Sequence, residues 1–364
     1  MVLLQPFALL SLWAAATLAT SSFEAAIQNG QISNYDLASL KPSWKLSHTG
    51  TNASFRGLAP VSHSVAWVAG SRTTVLRTTD AGATWESVGP ELSGEDAELE
   101  FRDVQAFSAD EAVVLSIGNG ADSRIFKTND GGVSWSLAFE NEEETAFYNC
   151  IAFDETSERG LAVSDPVDGK FRLAETLDRG DTWAIVDSEG MPPALEGEFG
   201  FSASGTCLSY AAGRWYNAAG GVDPGRVSTS NDGYDWEVED TPIAGTASGG
   251  VFSVQFSDKK RGIAVGGDFE NPTGNTDNAA YSSDGGRTWR AARKFPNGYR
   301  SGSSFLPLIP AVALAVGPTG SDWTFDAGRT WHGFDNGSFH AVECIKPFSC
   351  WASGDAGRVA KLGL

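Results

Sequence analysis

Positive charge is scarce in this chain: 26 Lys and Arg stand against 46 Asp and Glu, a formal net charge of −20 at pH 7. A surface of that sign repels phosphate backbones and anionic bilayers, so nucleic acid and membrane are not expected as partners. Histidine is scarcer still. His48, His63, His332 and His340 are too few for a His-rich metal centre, and His63 in a turn and His332 after a repeat read as surface residues. No Gly-rich loop follows a strand and opens a helix, which removes support for a nucleotide, and no cofactor is expected. A G-x-S-x-G elbow is missing too, against an α/β-hydrolase. Methionine numbers 2, and no stretch after the first residues keeps a helical period.

What the chain has instead is 42 Gly and 12 Trp, in short β-rich runs separated by Gly, Asp and Asn clusters. That is the pattern of an all-β protein. The length of 364 residues allows two ordinary domains or one large closed β architecture.

Residues 1–22 run from apolar to small to polar, and residues 1–19 read as a secretory signal peptide cleaved after Ala19. Its leading region holds no Lys or Arg, so the terminal amine supplies the positive charge. A segment over 20–39 then precedes the folded region, 40–364, and the mature chain is expected to be secreted, extracellular and monomeric. Secretion gives meaning to two glycosylation sequons, at Asn52 and Asn336, whereas Asn271-Pro272-Thr273 is excluded by its proline. Four cysteines can pair in three ways. Cys344 and Cys350 flank a turn between two strands, which favours a bridge across that hairpin and leaves Cys150 with Cys207. Four unpaired thiols are the alternative.

One octapeptide pattern recurs six times. It runs Thr78–Trp85, Thr128–Trp135, Thr176–Trp183, Thr229–Trp236, Ser282–Trp289 and Thr324–Trp331, as S/T-x-D-x-G-x-T-W. The fourth copy departs, with Asn231 in the Asp place and Asp235 in the Thr place. An Asp in such a turn accepts backbone N–H groups, and the Gly supplies a positive φ. The Trp starts the next strand and wedges between sheets. This is a structural unit and carries no catalysis.

The copies recur at the length of a four-stranded blade, which predicts a propeller. Phe339–Cys344, Cys350–Gly354 and Arg358–Leu362 form a seventh unit without its last strand. Ser43–Ser47 stands alone at the other end, and joining the two closes a seven-bladed ring with no long exposed edge. A six-bladed ring with an extra ribbon is the other arrangement the spacing permits.

With these boxes, and with strands such as Arg261–Gly267 and Arg159–Ser164, the chain resembles the Asp-box (BNR-like) β-propellers. Within them it is most similar to the photosystem II stability/assembly factor-like group. Sialidases and propeller lyases are similar at the box level only. The resemblance implies ligand binding around the central channel, on the face where the inner strands begin.

Aligning the starts of the seven inner strands gives Arg56, Arg102, Tyr148, Gly205, Phe252, Arg300 and His340 at one position. Three guanidiniums on one channel repel each other unless anions separate them, and each offers a fork for a carboxylate. Loops of the same face add Asp122, Asp165, Asp168, Asp268, Glu270 and Asp355, and an insertion before blade four adds Glu196 and Glu198. These support recognition of an acidic saccharide, with Arg56, Arg102, Arg300, Asp165, Asp168 and Asp268 binding it. If the bond is cleaved by elimination, Tyr148 and His340 are the candidate base and acid. Hydrolysis would instead draw its pair from Asp165, Glu196, Glu198 or Asp268. The other reading follows the assembly-factor resemblance: a non-enzymatic scaffold gripping a protein partner or another carboxylate-bearing ligand. Under a purely structural reading the acids pair with the arginines and plug the channel. On that alignment Cys150 and Cys207 face each other on adjacent inner strands and staple blades three and four.

Overall fold

The computed structural model describes residues 41–346 and 348–363. The expected signal peptide and the 20–39 segment lie outside the described residues. Seven antiparallel four-stranded sheets make up the described chain, so the fold is a seven-bladed β-propeller. Six sheets take four consecutive strands each. In the seventh, Ser43–Ser47 lies beside Val359–Gly363, which continues to Ser349–Ser353 and Ala341–Ile345.

Closure rests on Trp44. It pairs with Leu362 in register, stacks obliquely on Phe339 with ring centroids 5.3 Å apart, and donates its indole N–H to Ser321 Oγ in blade six at 2.9 Å. The clasp strand therefore binds its own sheet and the neighbouring one.

Inner strands begin at Phe55, Glu100, Tyr148, Leu208, Gly249, Gly302 and Ala341. The strands next to them are nearly all small and apolar. Every residue of Ala66–Gly70, Ala313–Gly317 and Ser349–Ser353 is buried, because each sheet packs on a neighbour on both faces. The hydrophobic clusters fill the gaps between blades: Trp67 and Val75 of blade one meet Phe101, Val104 and Phe126 of blade two.

The repeated octapeptide builds one turn. Thr78 Oγ1 donates to Asp80 Oδ1 at 2.8 Å, while Asp80 accepts the Thr84 N–H at 2.9 Å and the Thr84 hydroxyl at 2.6 Å. Those bonds, led by the Thr84 hydroxyl, hold the Asp80 carboxyl at about 2. Gly82 sits at φ 85°, a conformation that side chains resist. The Trp residues wedge as expected: Trp85 meets Trp351 of blade seven edge to face, and Trp135 meets Trp67 of blade one.

The fourth copy differs from its sequence alignment. Ser230 and Asp232, not Thr229 and Asn231, make the turn bonds, with Ser230 Oγ donating to Asp232 Oδ1 at 3.0 Å and the Tyr234 N–H reaching Asp232 at 2.9 Å. The turn is one residue shorter, so the carboxylate stays in place and the residue next to it changes. Both disulfides form, Cys150–Cys207 between blades three and four and Cys344–Cys350 across the last hairpin.

Candidate functional site

Which side chains reach the channel mouth is decided by a bulge. In blades one, two, three and five the pairing of the first two strands skips one residue, between Phe55 and Gly57, Phe101 and Asp103, Tyr148 and Cys150, and Val251 and Ser253. The extra residue is re-aimed by such a bulge. Those residues are Arg56, Arg102, Asn149 and Phe252.

Blades six and seven are placed by backbone bonds to the preceding blade. The Phe55 N–H donates to Gly354 O, the Arg300 N–H to Gly266 O and the Phe339 N–H to Gly317 O, at 3.0, 2.9 and 3.1 Å. Arg300 thus corresponds to Phe55, and the mouth position belongs to Ser301 in blade six and His340 in blade seven. In blade four, Cys207, bridged to Cys150, puts Thr206 at the mouth position.

The sequence alignment of the ring is therefore one residue out in blades three, four and six, and a one-residue slip sends a side chain to the opposite face. Tyr148 is fully buried between blades, 5.2 Å from the Phe139 ring, and its hydroxyl has no hydrogen-bond partner among the described residues. Burial pushes its phenol far up, so it is no base at the mouth. Arg300 is 1% exposed and bonds Asp322 Oδ2 through Nε at 2.8 Å and Nη2 at 2.5 Å. Its third nitrogen reaches Tyr299 O and Thr319 Oγ1. Gly205 lies against the Asp103 carboxylate, with φ +73° and no room for a Cβ.

The channel has a floor made of main chain. The end of the insertion before blade four, from Phe199 to Thr206, crosses it. Phe201 stacks on Phe252 at 3.7 Å, and Tyr299 packs on Phe252 at 4.6 Å. Ser204 Oγ donates to Ser301 O at 2.7 Å in blade six. Arg56 Nη1 donates to Ala203 O at 3.3 Å, and Arg102 Nη1 to Ser202 O at 3.4 Å. Arg56 and Arg102 hold carbonyl oxygens of the protein's own backbone, whereas Arg300 is paired with a carboxylate as the purely structural reading has it.

Around this floor the charges are arranged in layers. Arg102 keeps a quarter of its side chain exposed and has Glu100 Oε2 3.6 Å from Nε. Burial, then the charge of neighbouring Arg56, bring its guanidinium down to about 10. His340 is buried, with Nε2 2.9 Å from Asp355 Oδ1 but without the alignment of a hydrogen bond. Burial lowers the imidazole, and the His340 contact, helped by Ser54 Oγ at 2.5 Å, holds Asp355 well below the carboxylate range. Asp165 accepts Asn149 Nδ2 at 2.7 Å and the Gly200 N–H at 2.8 Å, and burial raises it to about 6. It ties the floor to blade three.

The remaining acids stand apart. Asp168 is exposed at a hairpin tip, and Asp122, Glu196 and Glu270 are exposed as well. Asp268 accepts Ser248 Oγ and Thr246 Oγ1; burial raises it, but these bonds leave it below its ordinary value. Glu198 is buried in a pair with Arg226. Asn52 and Asn336 are exposed on loops leading into blades one and seven.

Of the proposed site residues, Arg56, Arg102 and His340 come together. Tyr299, Asn149 and the Ser202–Ala203 carbonyls join them and were missed. For the two carbonyls the one signal in the sequence was the extra length of the insertion before blade four.

No family model and no curated protein matches the chain. Solved structures do. A structure titled "YCF48 bound to D1 peptide" superposes with a TM-score of 0.60 at 16% identity, over 87% of this chain and 96% of that one. YCF48 from Cyanidioschyzon merolae gives 0.58 at 17%, over 88% and 98%. A GH74 enzyme of Niastella koreensis gives 0.45 at 11%, over 84% and 65%. YCF48 is a photosystem II assembly factor, so the resemblance drawn from the repeats extends to the fold.

Proposed function

We propose that this propeller is a non-enzymatic scaffold that grips a polypeptide at the channel mouth, with Arg56 and Arg102 as its anchors. The observation that carries the reading is the grip of both arginines on adjacent backbone carbonyls, through one long bond each to Ser202 O and Ala203 O. Apart from Arg102 Nε, which faces Glu100, their other guanidinium donors are offered to a carboxylate or carbonyl of a second chain laid over the floor. A fold-level neighbour holds a peptide, which supports the same class of ligand.

Catalysis has less to work with. His340 is engaged by Asp355, Asp165 by two N–H donors, and Tyr148 lies in the core. An acidic saccharide remains the competing ligand, since a uronate offers the same carboxylate. We place the protein in an oxidising compartment outside the cytoplasm, because all four cysteines are paired.

Fluorescence anisotropy with peptides carrying a free or amidated C-terminus, against oligogalacturonate competitors, tests the proposal. Free-carboxylate peptides should bind, and Arg102→Ala should weaken them about ten- to a hundred-fold. Turnover of oligogalacturonate, with no peptide bound at high micromolar concentration, would replace this reading with the glycan one.

A further inference from the structure

Beneath the floor, on the opposite face from the mouth, the channel opens again into a cavity of about 160 Å³. Its wall is a second ring, three residues further along each inner strand than the mouth ring. Gln105, Ala152, Ser209, Gln255, Ser304 and Glu343 line it from blades two to seven in turn. Asp103 and Gly205 lie at its closed end.

Most polar groups of this wall are already used. Asp103 accepts the N–H groups of Val104 and Ile151, both at 2.8 Å. Ser209 Oγ donates to Val254 O, Ser304 Oγ accepts the Cys344 N–H, and Gln105 Nε2 reaches Ile151 O. The Glu343 carboxyl and the Gln255 amide have no hydrogen-bond partner among the described residues. Among the described residues no Lys, Arg or His lines the cavity to neutralise Glu343. Leu58, Phe153 and Val342 add apolar surface beside it.

From this geometry we propose that the lower chamber is a binding site for a primary alkylammonium group, with Glu343 as the counter-ion and the apolar wall taking the alkyl stem. The net charge of −20 favours the same sign of ligand. The site is separate from the mouth and does not depend on the reading of it.

Protonation gives the proposal a signature. Burial alone raises the Glu343 carboxyl to about 8, so at pH 7 it is mostly neutral in the free protein. The other titratable groups of the wall are Asp103, which burial raises well above its ordinary range, and Tyr210, raised to about 12 by burial and then by Glu155. Neither offers a positive charge. An entering ammonium ion favours the ionised carboxylate, so binding at pH 7 should expel a proton, whereas binding at pH 9 should not.

Calorimetric titration with n-butylammonium chloride in buffers of different ionisation heat reads both affinity and proton release. Nα-acetyl-lysine methylamide, run in parallel, separates a free amine from a lysine side chain of a partner. Either should bind the unaltered protein, n-butanol should not, and Glu343→Gln should weaken binding at pH 9 about ten- to a hundred-fold. Because the substitution removes a half-buried carboxyl with no hydrogen-bond partner among the described residues, the variant should melt no lower than the parent. Equal affinity in the variant, equal binding of n-butanol, or no binding of either amine at millimolar concentration overturns the assignment.

Discussion

Arg300 and Arg102 carry the same group into opposite circumstances. Arg300 is enclosed with Asp322, itself fully buried, so Arg300→Ala strands a charge with only the long Asn297 N–H contacts beside it. Such a loss costs about 3–5 kcal/mol, and urea unfolding should show it while peptide affinity at the mouth stays near its parent value. Arg102, partly exposed and bound by long contacts, should give the reverse. The Glu343 carboxyl adds a pH dependence. Glu343 holds its proton in the folded state up to about 8, against an ordinary 4.5. A raised carboxyl contributes stability that is complete below its unfolded pKa and is lost as pH rises through the folded value. The advantage of Glu343→Gln over the parent should therefore grow from about pH 5 to pH 8 and then level off, as melting temperatures across that range would show. None of this contrast is written in the residue types. An arginine at the start of an inner strand reads the same whether it meets solvent or Asp322.

The bulges explain why the strands were legible and their facing was not. Short apolar runs and turn residues mark all seven inner strands, but in blade four the strand begins at Leu208, past the Ser204 start read from the sequence, and in blade six at Gly302, past Tyr299. Residue type does not show where the strand pairing shifts register, and an alignment by similarity matched Arg300 to Arg56 and Tyr148 to Arg102, although blade three shifts at the same place as blades one and two and blade six pairs without a shift. The backbone instead matches Ser301 and Asn149 to them. The fourth turn failed for the same reason, since Thr229 and Ser230 are chemically alike and either could have led it. That yields a discriminating pair of substitutions. Ser230→Ala removes the hydroxyl that accepts the Gly233 N–H at 2.8 Å and should cost about 1–2 kcal/mol in urea unfolding. Asn231→Ala should stay within about 0.5 kcal/mol, as expected of an exposed position outside the bond set.

Seven blades and their closure by the chain ends were legible because repeats impose a count, and a count leaves a remainder that must pair. The floor segment escaped because it belongs to no repeat. Removing Ser43–Ser47 uncovers Phe339, Val342 and Ala360, which Trp44 helps to bury. The whole ring, not one end, should then melt lower, and calorimetry should show a single transition displaced downward. The pairing of the ends also sets how the protein answers force. Ser43 lies opposite Gly363, so both ends leave the clasp on the same side. Tension applied there loads the pairs one after another, as in unzipping, instead of shearing all of them together. In an optical trap blade seven should peel away at low force, followed by the remaining blades. The Cys150–Cys207 bridge joins positions separated by 57 in the sequence, a loop that cannot extend, so the unreduced chain should fall short of its full contour by roughly 200 Å, a deficit that a reductant restores.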